Sequence, residues 1–305
     1  MPDLIPPHAD LLFKHVFGDE ENRDCLASLL QAVLDLPTEA FEDLELLNNE
    51  LEHDADSGKG PVLDVRARLA GGEQIDVEIQ LQVRRNLRRR ITYYTARMLA
   101  GQLRAGQDYE GLGRAITVLI TGENLWADGG YHHRYVMCEP GTDRVFSDVL
   151  EVDTLELRKV SQVWDGTQLW KWAKFIAVRD EEELEMAAQL DPVIAKAAKV
   201  VREWSADDQF RLQMEAREKV ERDYISRMRE DLADARDQAR AEGLAEGLAE
   251  GRAEGRAEGR EEGREEERVQ GIRRALAAGL GVDIVARVFQ ASLEEIAQVN
   301  SGSPA

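Results

Sequence analysis

The sequence predicts an α/β fold: a mixed sheet flanked by helices, followed by a long helical tail and a small helical C-terminal module. Three observations point there. Residues 63–83 alternate apolar and polar side chains, residues 84–107 carry apolar side chains at helical spacing, and residues 115–121 (AITVLIT) form an unbroken apolar run. Strand period and helix period following one another within one segment are the mark of a sheet covered by helices.

The elements follow in chain order. The string D-x-x-F-K-x-x-F, at Asp10, Phe13, Lys14 and Phe17, opens a helix expected to continue through CLASLLQAVL. Next comes a β-hairpin. Leu63, Val65, Ala67 and Leu69, then Ile75, Val77, Ile79, Leu81 and Val83, mark its apolar face. Asp64, Arg66 and Arg68, then Asp76, Glu78, Gln80 and Gln82, mark its polar face. A three-residue turn, Gly71-Gly72-Glu73, keeps both apolar sets on one side; it pairs Asp64 with Gln80 and Arg66 with Glu78. After a helix and the AITVLIT strand, RYVMCEP and VLEVDTLELRK continue the domain, the second as a strand, and LWKWAKFIA forms a short helix closing the core. Trp164, Trp170 and Trp172 are expected to pack there. The domain boundary is placed near Arg179, which gives residues 1–179, a helical region 180–268 and a C-terminal module 269–305.

The hairpin carries the chemistry. In the predicted register Asp64 lies one diagonal step from Glu78, close enough for two carboxylates to share a hard divalent cation such as Mg²⁺. Such an ion polarises a phosphodiester and generates hydroxide from its water. The competing reading makes Arg66–Glu78 and Arg68–Asp76 ordinary cross-strand ion pairs on a solvated face.

The order of these motifs, from Asp10 to Lys174, resembles the Rpn family of recombination-promoting nucleases, also called YhgA-like putative transposases, within the PD-(D/E)XK superfamily. The resemblance implies a PD-(D/E)XK nuclease-like fold. It puts the metal-binding aspartate on Asp64 and the E-x-K motif on Glu78-Ile79-Gln80, with glutamine where the superfamily has lysine. A neutral amide lacks the positive charge that lysine offers to the nucleophile and the pentacovalent phosphate. Lys14 and Lys59 are the candidates to supply it from elsewhere, with Asp10 as a further accessory residue. Asp10 and Lys14 also satisfy the spacing of a plain helix ion pair. Glu50 and Glu52 read as loop charges.

From Arg84 to Gln107 there are seven arginines and no acid, in a chain of net charge −21. Leu87, Ile91, Tyr94 and Met98 face the core, and Arg90, Tyr93, Arg97 and Arg104 form a neighbouring stripe. Arginine forks beside carboxylates suit a phosphodiester backbone. The resemblance singles out Arg90 and Tyr94, so Arg90, Tyr94 and Arg97 are the DNA-binding candidates.

Composition narrows the function classes. The pI near 4.7 argues against sequence-blind adhesion to nucleic acid, so any DNA contact is local. Cys25 and Cys138 give no disulfide framework. With no signal peptide and no run of 18 apolar residues, the expected location is cytoplasmic. His8, His15, His53, His132 and His133 show no zinc spacing and read as bystanders.

From Glu242 the chain repeats E-G-[LR]-[AE] six times through residue 265. Glycine every fourth residue costs about 1 kcal/mol each against alanine in an isolated helix, a cost that close packing of a partner helix offsets. The tail is therefore expected to self-associate as a coiled-coil-like helix. The last residues, from RVQGIRRALAAG onward, are expected to form three short helices. The final two, Val282–Phe289 and Leu293–Val299, have Ser292 as N-cap between them and form a packing module.

The functional expectation is a Mg²⁺-dependent DNA endonuclease, with Mn²⁺ as a second metal, acting in transposase-like DNA recombination. Asp64, Glu78 and Gln80 form the site, and Asp64 and Glu78 hold the metal. Two rivals stand beside it. One is a non-enzymatic oligomeric scaffold, since the repeat also resembles a flagellar export stator-like component. The other is a catalytically degenerate DNA-binding nuclease relative, suggested by Gln80.

Overall fold

The computed structural model describes residues 4–34, 36–50, 63–104 and 106–302. Among these, two compact units are distinguished, Met1–Glu218 and Lys219–Ala305.

The first unit is built on a six-stranded mixed sheet, so the α/β expectation holds. Its strands are β1 (Glu45–Leu47), β2 (Val65–Arg68), β3 (Gln74–Gln80), β4 (Ala115–Thr121), β5 (His132–Cys138) and β6 (Val145–Glu156), in spatial order β1-β2-β3-β4-β6-β5. The β3–β4 and β4–β6 pairs are parallel; the others are antiparallel. The continuous apolar run in β4 follows from this placement, because an interior parallel strand is covered on both faces. Ile116, Val118 and Ile120 enter the main core, whereas Ala115 and Leu119 meet α3 (Leu87–Ala100) on the other side through Met98, Leu87 and Ile91. Between those contacts the Thr95 and Thr117 hydroxyls lie 2.7 Å apart and satisfy one another.

The main core lies on the opposite face. There α1 (Asp10–Phe17), α2 (Arg23–Leu34), α4 (Gln168–Ile176), α5 (Glu181–Ala188) and α6 (Pro192–Ala206) cover Val65, Ala67, Ile75, Val77 and Ile79. Leu184, Ile194, Val201 and Phe210 belong to this core, so the first unit runs past Arg179, where the change in composition suggested a boundary. Composition records charge on exposed faces; it does not register the buried stripe of α5 and α6.

Several local expectations are corrected. The first helix does not continue through CLASLLQAVL. It stops at Gly18, and a 3₁₀ turn at Glu20–Asn22 leads into α2. A Cβ at Gly18 would lie 2.7 Å from the Lys14 carbonyl oxygen, so only glycine fits this tight end. The hairpin turn is Ala70-Gly71-Gly72, with Gly72 at φ +91 and its N–H donating to the Leu69 oxygen. Register therefore moves by two residues: Val65 faces Val77 and Arg66 faces Asp76. A two-residue slip leaves every side chain on its expected face. It also breaks the proposed Arg66–Glu78 and Arg68–Asp76 pairs: Arg68 bonds Glu45, and Arg66 bonds the Asn48 and Glu50 carbonyls. The basic helix ends at Ala100 with Gly101 as C-cap, so Arg104 lies beyond it and outside the stripe. Trp170 and Trp172 are buried as expected, but Trp164 is 57% exposed, its indole N–H bonding the Thr167 carbonyl.

One helix, α7 (Asp208–Ala277), carries the glycine repeat and also absorbs the first of the three short helices expected at the end. In the second unit α8 (Val282–Phe289) and α9 (Leu293–Ser301) pack against Ile272 through Val285, Ala291 and Ile296. Ser292 caps α9 as expected, in a reciprocal capping box with Glu295.

Candidate active site

The polar face of the hairpin is not a solvated surface. Because α3 lies across it, Asp64 is 9% exposed, Glu78 3% and Asp76 0%. Continuing the observed register by one residue sets Asp64 directly opposite Glu78, closer than the expected diagonal. Asp64 Oδ2 accepts the Ile79 N–H at 3.1 Å, which ties the aspartate to the neighbouring strand. Gln80 Nε2 lies 3.4 Å from Glu78 Oε2.

A cation reaches Asp64 from α1. Lys14 Nζ lies 2.9 Å from Asp64 Oδ1 and 2.9 Å from Asp10 Oδ1. The Asp10–Lys14 helix ion pair forms, and the same ammonium reaches Asp64. Asp10 is further held by Arg217 at 3.1 Å. Burial works against the Lys14 ammonium, but the Asp64 and Asp10 carboxylates outweigh it and hold its pKa above the ordinary lysine value. Lys59 and Glu52 lie outside the described residues; Glu50 is exposed.

Electrostatically the three buried carboxylates crowd one another, and each holds its proton above the ordinary carboxylate range. Burial, then repulsion from Asp64, pushes Glu78 up to about 8, against relief from Arg90 and Lys14. Asp64 is raised by burial, with Lys14 opposing. Asp76 is raised well above the usual carboxylate range by burial, then by Glu78 and Asp64. The sequence assigns Asp76 only an ion pair with Arg68 and no site role, although it sits two residues before Glu78 on the same strand face. Its signal was that alternation; what sequence does not contain is the register that takes Arg68 to Glu45 instead. On α3, Arg90 and Arg97 are half-buried, and the Arg90 guanidinium lies 5.9 Å from the centre of the Tyr94 ring.

A family model described as "PD-(D/E)XK nuclease family transposase" matches residues 7–231, more than half of the chain. The chain belongs to this family. No curated protein and no solved structure matches it. The matched span takes in every strand of the sheet, Lys14, Asp64, Glu78, Gln80 and the arginine helix.

PD-(D/E)XK nucleases generally use divalent metals, and the residues here fit one. Glu78 Oε1 and both Asp76 oxygens are buried without a hydrogen-bond partner. Leaving acceptors in that state costs free energy that a coordinated cation offsets. Carboxylate oxygens with a neighbouring amide suit a hard ion. Among the described residues no helix is long and apolar enough to cross a membrane.

Proposed function

We propose that this chain is a Mg²⁺-dependent DNA endonuclease, with Mn²⁺ as a substitute, that hydrolyses phosphodiesters in transposase-like recombination. Asp64 and Glu78 hold the metal, and Asp76 backs them. When bound, the ion supplies a polarised phosphate and a water of lowered pKa. The chain does the rest. Gln80 orients the attacking water by its amide. Lys14, braced between Asp10 and Asp64, offers an ammonium to the charge that gathers on the phosphate in the transition state. Arg90, Tyr94 and Arg97 seat the DNA backbone along one side of α3, and Arg90 also favours the ionised form of Glu78. The work belongs to the first unit, Met1–Glu218, with the C-terminal helix joining copies into a homo-oligomer in a cytoplasmic setting.

The observation that carries this reading is the Lys14 ammonium beside Asp64. A degenerate site with Gln80 in the lysine position would have no use for a half-buried cation delivered from another helix, and a scaffold would have none for Glu78 Oε1 and both Asp76 oxygens buried without partners. Plasmid nicking in Mg²⁺ or Mn²⁺ tests it, with Asp64→Ala and Glu78→Ala beside the wild type. Loss of nicking in both variants supports the proposal; equal nicking by all three proteins, or none by any, overturns it.

A further inference from the structure

A second cluster lies on the same face of the sheet, two strands away from the first. Glu156 ends β6 in register with Thr121 of β4, which is itself in register with Gln80 of β3. At the strand spacing of about 4.8 Å, Glu156 is on the order of 10 Å from Gln80. It is fully buried. Its Oε2 accepts the Leu125 N–H at 2.8 Å and meets Lys159 Nζ at 2.9 Å. Its Oε1 has no hydrogen-bond partner; it faces His133 Nδ1, also without one, at 3.5 Å. His133 Nε2 lies 3.1 Å from Asp128 Oδ2, and Lys159 Nζ holds the other Asp128 oxygen at 2.8 Å. One ligand atom each from Asp128, His133 and Glu156 lie within 4.8 Å of one another.

We propose that Asp128, His133 and Glu156 form a second divalent-cation site, selective for an ion that accepts imidazole nitrogen. Lys159 ties back one oxygen of each carboxylate, which leaves the other two converging with the imidazole. That division leaves a fully buried glutamate with one oxygen free of hydrogen bonds and turned to the imidazole, a state whose cost a shared cation would offset. One nitrogen and two carboxylate oxygens select Zn²⁺ or Mn²⁺ over Ca²⁺ or Mg²⁺, which prefer oxygen alone. The ligands come from β5, the end of β6 and the loop between β4 and β5. Binding pins that loop, and with it Trp126, on whose ring the Arg88 guanidinium of α3 rests at 4.9 Å. The proposal is independent of the nuclease reading and needs none of its residues.

The test uses the full chain carrying Asp64→Ala, Glu78→Ala and Cys138→Ser, which removes the first site and the exposed thiol. Equilibrium dialysis against Zn²⁺ followed by metal analysis should find one ion per chain, with a higher thermal midpoint than in chelator. Adding His133→Ala, or separately Asp128→Asn, should abolish both effects. Asp128 is exposed, so its replacement leaves folding intact. No Zn²⁺ on the starting chain, or Zn²⁺ retained in either triad variant, overturns the site.

Discussion

Lys14 Nζ lies 2.9 Å from Asp64 Oδ1, so a cation that the E-x-K position does not provide reaches the carboxylates from α1. Position in space, not in the motif, is what an electrostatic role requires. Lys14→Met should lower nicking by about 10²-fold or more, on the scale of removing one preorganised transition-state contact. Gln80→Lys in the Lys14→Met background should restore part of the rate, because it returns the charge to the same carboxylates from β3. Steady-state nicking rates decide it; an unaffected Lys14→Met enzyme would leave Lys14 a helix ion pair.

Glu78 sets the pH dependence. Its pKa in the folded metal-free chain is raised from 4.5 to about 8, first by burial and then by Asp64. Folding therefore favours the protonated form. The associated stability is complete below about 4.5 and is lost as pH rises through about 8. Denaturant midpoints measured in chelator should fall across that window, and Glu78→Gln should flatten the fall. Cutting needs the ionised carboxylate, so nicking should rise towards pH about 8, with a midpoint that moves down as Mg²⁺ is raised. A midpoint independent of metal concentration would remove Glu78 as a ligand.

Arg90 is placed to do two things at once. It stands 5.9 Å from the Tyr94 ring centre and its charge lowers the Glu78 pKa. Arg90→Ala should weaken DNA binding, reduce the salt slope by about one phosphate contact, and move the pH midpoint of nicking upward. Arg89→Ala, at an exposed position of the same helix, should change affinity without moving that midpoint. Filter binding over a salt series and a pH–rate profile separate the two effects.

Trp172 joins the N-terminal helices to α4. Its ring meets Phe17 and Phe175 at 5.6 and 5.7 Å, and its indole N–H donates to Ser28 Oγ at 3.1 Å. Trp172→Ala should cost about 3–5 kcal/mol in urea unfolding, the range for a fully buried large aromatic. Trp164→Ala, at an exposed ring, should stay within about 0.5 kcal/mol.

Much of the candidate site's geometry was legible in the chain. Alternation placed Asp64, Glu78 and Gln80 on one face, and the string at Asp10 to Phe17 raised Lys14 as a substitute cation. Asp76 and the Asp128–His133–Glu156 cluster were not legible. Asp76 read as a partner for Arg68, but Arg68 bonds Glu45, and Arg66, which faces Asp76 in the observed register, bonds Gln74 and the Asn48 and Glu50 carbonyls. His133 showed no ligand spacing, because its neighbours come from a loop and from the far end of another strand.

Local periodicity by itself determined the type of the longer elements, the faces of the hairpin, the buried stripe of α3 and the Ser292 cap, since each depends on residues within one or two turns of chain. Only the tertiary structure decided the two-residue register, the burial of the acidic face beneath α3 and the meeting of Lys14 with Asp64. The reason is physical. A slip of two preserves every face, so alternation cannot choose between registers, and convergence of distant groups is set by packing against β4 and α1, which no local pattern records.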